Sequence, residues 1–189
     1  MKKILLFASG AGSNVENIIK YFQNKDSVST VGVFSNNPEA KVLAVAQNNA
    51  VFSFVFNRTE LNEGLVLTKI KELQPDLIIL AGFLWKMPET IVQEYPNKII
   101  NIHPALLPKY GGKGMYGINV HRAVLENKEK ETGITIHYVN EHYDEGEFIF
   151  QQKVNIKDCD SPEAIAVKVQ ELEHKHFPKV IEKLLIPNH

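Results

Sequence analysis

The chain has 189 residues, 21 of them basic and 22 acidic, for a formal net charge of −1. Its 44% hydrophobic and 23% charged fractions exclude a disordered chain, and its single cysteine, Cys159, excludes an internal disulfide framework and a cysteine-rich zinc module. The near-neutral charge argues against broad binding to a nucleic-acid backbone, and no apolar run reaches the roughly 18 residues of a membrane span.

The length fits one domain over residues 1–189, since domains cluster near roughly 100–200 residues. Ile4 to Ala8 is a short apolar run ended by a glycine turn, so it reads as a first strand rather than a signal peptide, and a cytoplasmic location follows as the default. Ser9 to Asn14 is a glycine-containing turn with helix-capping residues. Val15, Ile18, Ile19 and Phe22 then recur at helical spacing. Thr30–Ser35 reads as a strand, Ala40–Asn48 as a helix and Val51–Val55 as a short strand. Leu61–Leu73 reads as a helix with Leu65, Ile70 and Leu73 on one face. Asp76–Ala81, apolar without a break from Leu77 on, reads as a strand covered on both faces. This alternation predicts a parallel, doubly wound sheet with right-handed crossovers.

The second half changes pattern. Pro88–Tyr95 reads as a short helix, Lys98–Ile102 as a fifth strand and Val120–Asn127 as a helix. Thr132–Val139 alternates as a strand does, with Glu147–Val154 its hairpin partner. Ser161 and Pro162 suit the cap and first turn of a terminal helix to about Leu185, which Pro178 is expected to kink or split.

Four segments carry possible chemistry. Gly10-Ala11-Gly12-Ser13-Asn14 joins strand to helix, where free N–H groups and the helix dipole favour a phosphate. It lacks the Gly-Lys-Ser/Thr of a Walker loop and the third glycine of a dinucleotide fingerprint, and by itself also fits a plain tight turn. Gly82-Phe83-Leu84-Trp85-Lys86-Met87 leaves the carboxyl end of a buried strand as an apolar lip suited to a flat ring. Asn101 and His103, two apart on a strand, share one face and combine an amide donor with an imidazole that titrates near neutrality. Together they can hold an oxyanion and manage a proton. Asp144, in a polar loop between strands, would raise the pKa of a neighbouring imidazole. All seven histidines follow position 100. Apart from His103, they (His121, His137, His142, His174, His176 and His189) read as ordinary core or surface residues. No metal-ligand spacing is expected, and Cys159 reads as structural.

Asn101-Ile102-His103-Pro104, with Leu106-Leu107-Pro108-Lys109-Tyr110 and Asp144, resembles the folate-dependent formyltransferases. The Gly-x-Gly-Ser-Asn loop at 10–14 is similar to that of the branch serving de novo purine synthesis. The resemblance runs from Lys3 to about Pro178. It implies a Rossmann-like α/β/α fold with a mostly parallel seven-stranded sheet. It implies transfer of the formyl group of 10-formyltetrahydrofolate to the amine of glycinamide ribonucleotide, with no metal. It implies Asn101, His103 and Asp144 as the catalytic set, with a protonated His103 donating to the oxyanion beside Asn101 and Asp144 keeping it charged. Gly12, Ser13, Asn14, Gln170 and Glu173 would hold the ribonucleotide. Arg58, Leu84, Trp85, Lys86, Met87, Asn101, Asn140, Glu141 and Asp144 would hold the folate. Two departures stand out: the Gly111–Asn119 loop is longer than in the shortest members, and Trp85 stands where many have Arg.

Relatives acting on tRNA or amino sugars, or hydrolysing the donor, usually carry an additional domain, and the length leaves no room for one. A binding module without catalysis would not require Asn101, His103 and Asp144 together. The expected partners are small-molecule substrates, not nucleic acid or membrane, acting on a monomer or weak homodimer.

Overall fold

The computed structural model describes residues 1–186, so His189 lies outside the described residues. Seven strands form one sheet: β1 (Lys2–Phe7), β2 (Val28–Ser35), β3 (Ser53–Val55), β4 (Leu77–Leu80), β5 (Ile99–His103), β6 (Glu131–Tyr138) and β7 (Phe148–Asn155). Their order is β3-β2-β1-β4-β5-β6-β7. The first five are parallel to one another, and β6 runs antiparallel to both β5 and β7. Among the described residues there are seven helices: α1 (Ser13–Phe22), α2 (Val42–Asn48), α3 (Arg58–Asn62), α4 (Leu65–Leu73), α5 (Glu89–Glu94), α6 (Ile118–Glu126) and α7 (Pro162–Leu185).

Successive strand residues serve two cores, one on each face. Ile4, Leu6 and Ile79 pack with α1, α2, α6 and α7. Leu5, Phe7 and Ile78 pack with α3, α4 and α5. This is the three-layer α/β/α architecture, and it explains why β1 and β4 carry apolar residues at consecutive positions. The chain leaves β1 outward to β2 and β3, then returns to the other side of β1 through β4. The order therefore reverses between β1 and β4, and the crevice beyond their carboxyl ends is where open α/β sheets bind ligands.

Three expectations about the elements need correction. The single helix expected over Leu61–Leu73 is two, α3 and α4, because Gly64 between them adopts φ +96°. α3 starts at a capping box in which the Asn57 side chain and the Glu60 backbone N–H pair, and the Glu60 side chain and Asn57 N–H do likewise. Leu65, expected on the buried face, is exposed, and Val66 takes its place beside Ile70.

Nor does Pro178 split α7, which continues through it to Leu185. A proline cannot donate to the carbonyl four residues back, which here is His174. The Asn17 side chain on α1 donates to that carbonyl at 2.9 Å. The freed acceptor is thus satisfied by the packing of α1 on α7, where Phe177 and Pro178 are both buried. The α7 start is as expected: Ser161 Oγ accepts from Ala164 N, and Pro162 follows in the first turn. Cys159 is a free thiol packed against the α1/α7 core.

Candidate active site

A cavity of about 800 Å³ opens at the switch point. Its floor is the end of β5. Asn101 and His103 share a face there, as their spacing predicts, and His103 is only 3% exposed. The antiparallel ladder sets Asn101 opposite His137 and His103 opposite Thr135. Asp144 enters from the β6–β7 connection with φ +56°. The connection folds tightly over the end of β6, where a side chain at Gly146 would collide with the Tyr138 carbonyl.

These groups form one network. Asp144 Oδ2 accepts from Gly112 N at 2.9 Å and lies 3.6 Å from His103 Nδ1, while Oδ1 lies 3.5 Å from His137 Nε2. His103 Nε2 is 2.7 Å from the Tyr110 carbonyl, which only accepts, so Nε2 carries the proton and neutral His103 keeps its lone pair on Nδ1. By the same logic His137 Nδ1 donates to the Tyr138 carbonyl at 2.8 Å. Its Nε2 then accepts from the Asn101 amide at 3.1 Å.

Burial pushes the His103 pKa down and outweighs the upward pulls of Asp144 and of the Tyr110 carbonyl. The resting ring, whose protonation the sequence left open, is therefore neutral near pH 7, with Nδ1 free to act as a base. Burial works to raise the Asp144 pKa, but the Gly112 N–H, and His137 and His103 whenever either ring carries a second proton, hold it below its ordinary value. An ionised carboxylate thus stands beside a neutral imidazole that gains a counter-ion the moment it takes a proton.

At one end of the cavity lies the first turn of α1. Its cap residue is Gly12, at φ +79°, and no side chain caps the helix. Instead of capping, as the sequence suggested, Ser13 Oγ accepts from Gln170 and the Asn14 amide donates to Glu173 Oε2 at 2.8 Å. The turn's own N–H groups are thereby left without a side-chain cap, the arrangement in which a helix start can accept an anion. Burial pushes the Glu173 pKa up to about 7, against the pull of the Asn14 amide. Asn14, Gln170 and Glu173 line the cavity; Gly12 and Ser13 do not, and Gly10 does. Gly12 instead backs onto Val42 at the start of α2.

The other end is built by the loop after β4. Leu84, Trp85, Lys86 and Met87 all line it, as do Asn140 and Asp144. Glu141 does not; it is exposed, and His142 and Tyr143 line the wall instead. The Arg58 guanidinium, at the start of α3, lies 4.2 Å from the centroid of the Trp85 ring. A cation therefore stands at Trp85 even though position 85 is not itself basic. Ser9, which the sequence did not single out, ties the two ends together: its N–H donates to Gly82 O, and its hydroxyl accepts from Leu84 N. The Gly111–Asn119 loop contributes Gly112 to Gly117 to the wall. His121 on α6 also lines the cavity, with Nδ1 buried and unpartnered, and burial pushes its pKa down to about 4. Among the described residues, no group of three or more His, Cys, Asp or Glu side chains is disposed to hold a metal ion.

Residues 2–181 match the formyl transferase family. The phosphoribosylglycinamide formyltransferase of Bacillus subtilis is 36% identical, the match covering 98% of this chain and 95% of the relative. The chain belongs to the phosphoribosylglycinamide formyltransferases. The family member from Arabidopsis thaliana, named chloroplastic, is 37% identical over 95% of this chain, and this chain spans only 64% of its length. Among solved members, that of Anaplasma phagocytophilum superposes with a TM-score of 0.89 at 35% identity, covering 97% of this chain and 87% of that one. The Geobacillus kaustophilus glycinamide ribonucleotide transformylase gives 0.89 at 33% identity, over 98% and 99%. The sheet order and the mostly parallel strands described above are thus shared with phosphoribosylglycinamide formyltransferases of known structure. Among the described residues, no helix is long and apolar enough to cross a membrane.

Proposed function

We propose that this chain transfers the formyl group of 10-formyltetrahydrofolate to the amine of glycinamide ribonucleotide, a step of de novo purine synthesis, by direct attack through a tetrahedral intermediate. The observation that carries the reading is the meeting of Asn101, His103 and Asp144 in a cavity with an uncapped helix turn at one end and an apolar, cation-flanked lip at the other. The volume of about 800 Å³ lies toward the upper end of the roughly 300–1,000 Å³ of small-molecule sites.

The α1 turn, Gly12 to Asn14, would take the ribonucleotide phosphate, with Gln170 and Glu173 on its sugar. Leu84 to Met87, Asn140 and Arg58 would take the folate. As the amine nitrogen bonds to the formyl carbon, negative charge builds on the formyl oxygen. Asn101 donates to that oxygen with the amide N–H not used by His137; one such donor contributes about 10²–10³ in rate. His103 Nδ1 accepts the proton that the amine loses, and Asp144 stabilises the resulting imidazolium. The same Nδ1–H then protonates the folate nitrogen as its bond to the formyl carbon breaks, so the proton lost by the acceptor leaves on the donor. We place the protein in the cytoplasm, acting on small-molecule substrates as a monomer or weak homodimer.

The test is formyl transfer from 10-formyltetrahydrofolate to glycinamide ribonucleotide, following both donor loss and formylated product. His103→Ala and Asp144→Asn are expected to lose most turnover while still binding the ribonucleotide. Donor loss without product would identify a hydrolase, and no donor loss a binding module. Near wild-type turnover in either variant would remove the assigned roles.

A further inference from the structure

The carbonyl that holds His103 belongs to a residue in an unfavourable backbone conformation. Tyr110 adopts φ +58°, where a residue with a Cβ is strained by about 1–2 kcal/mol. Something outside the loop must hold it there. The phenol is the anchor: Tyr110 Oη donates to Glu129 Oε1 at 2.9 Å. Glu129 is itself fixed, since its N–H donates to the Val124 carbonyl in the last turn of α6. Burial, followed by this contact with Glu129, pushes the Tyr110 pKa up to about 12, so the hydroxyl stays a donor at any working pH. Lys109 also reaches Glu129 Oε1 at 2.9 Å, but from solvent, with its side chain 70% exposed.

We propose that Glu129, remote from the cavity, is a positioning residue for the transfer reaction: through the Tyr110 hydroxyl it holds the Tyr110 carbonyl against His103 Nε2, which fixes the ring in the tautomer that leaves Nδ1 free. This rests on the role given to His103 above. The alternative tautomer would put the proton on Nδ1 facing Asp144, where it would make an ion–dipole contact and leave no lone pair to accept from the amine. The other charged or titratable groups facing this ring, Asp144, His137 and His121, do not contact Nε2. Its orientation is therefore left to Tyr110.

The experiment compares Tyr110→Phe, Glu129→Ala, Glu129→Gln and Lys109→Ala, each checked for folding. The readouts are steady-state formyl transfer across pH and nitrogen-15 NMR of the histidine rings. Tyr110→Phe and Glu129→Ala should each lower kcat about tenfold, less than the roughly 10²–10⁴ that a placed acid–base group contributes in full, with KM for both substrates within about twofold. His103 should lose its single-tautomer nitrogen signature in both. Glu129→Gln, which keeps an acceptor oxygen for the phenol, should restore the signature and most of kcat. Lys109→Ala should match wild type. Wild-type tautomer and kcat in both Tyr110→Phe and Glu129→Ala would overturn the proposal, as would a kcat loss with an unchanged His103 signature. If the wild-type protein transferred no formyl group, the functional reading would fall, but the tautomer comparison would still decide the role of Glu129.

Discussion

Asn101 and His137 face each other across the β5–β6 ladder, the amide nitrogen 3.1 Å from Nε2. Because His137 Nδ1 is committed to the Tyr138 carbonyl, its Nε2 can only accept in the neutral ring. The Asn101 amide is therefore held with its nitrogen toward His137. One N–H is used, and the second is left for an oxyanion on the cavity side. Unfixed, an amide can turn its carbonyl to the same place and present an acceptor where a donor is needed.

Truncating His137 should therefore act through Asn101. His137→Ala is expected to lower kcat by about tenfold to a hundredfold, somewhat less than outright loss of an oxyanion donor, with little change in KM. Asn101→Ala should be slower still. The Asn101→Ala/His137→Ala double variant should be no slower than Asn101→Ala alone, because the second residue has nothing left to position. Additive losses in that cycle would show that His137 acts independently.

Glu173 carries a pH signature of its own. Its pKa is pushed up to about 7 in the folded chain, against 4.5 for an unperturbed glutamate. The folded state thus binds more protons than the unfolded state between about pH 4.5 and 7, and stability falls as pH rises through that window. Glu173→Gln removes the titration. The stability of wild type relative to Glu173→Gln should be greatest below pH 4.5 and decline to a plateau above pH 7, as read by thermal unfolding. If the difference were flat with pH, the carboxyl would not be desolvated. The same variant should raise KM for the ribonucleotide more than it lowers kcat.

The residues legible in the sequence were those whose relation is local. Asn101 and His103 share a face because a strand has a period of two, and the alternating elements fixed the doubly wound class. His137 was not legible. Its partnership with Asn101 depends on the β5–β6 register, and no local pattern states which residue of one strand faces which of the next. The same holds for Arg58 and Trp85, joined only when α3 meets the loop after β4. The split that Pro178 could have caused does not occur, because the rule for proline in helices considers the helix alone, whereas Asn17 supplies the missing donor from α1. Glu141 misled for a related reason: neighbouring loop residues need not face the same side, and it turns to solvent while Tyr143 and Asp144 line the cavity.

His121 predicts acid sensitivity of the opposite sign to Glu173. It is 5% exposed, its Nδ1 has no partner, and burial, with His103 nearby, pushes its pKa down to about 4. Between about pH 4 and 6.5 the unfolded chain takes a proton that the folded chain refuses, so this group's contribution is present above pH 6.5 and lost as pH falls toward 4. At one pKa unit per 1.36 kcal/mol, the loss is at most about 3 kcal/mol. His121→Leu, similar in volume and without a titrating ring, should narrow the gap in urea-unfolding stability between pH 7.5 and pH 4.5. An unchanged gap would mean the ring reaches solvent.

The two glycines of the β1–α1 turn should behave differently when each gains a methyl group. At Gly12, φ is +79°, and a Cβ would lie 2.5 Å from Val42 Cγ2 and 2.9 Å from Val42 Cα. The second contact is backbone, so rotating a side chain cannot relieve it, and α2 would have to move. Strained backbone alone costs about 1–3 kcal/mol. Gly12→Ala should therefore lower thermal stability and weaken ribonucleotide binding together. At Gly10, a Cβ would meet nothing within 4 Å, because the space beside it is the cavity. Gly10→Ala should fold with wild-type stability and show its effect only as a raised KM for substrate. Equal destabilisation by both would mean that the turn, rather than Gly12's approach to Val42, is what the glycines serve.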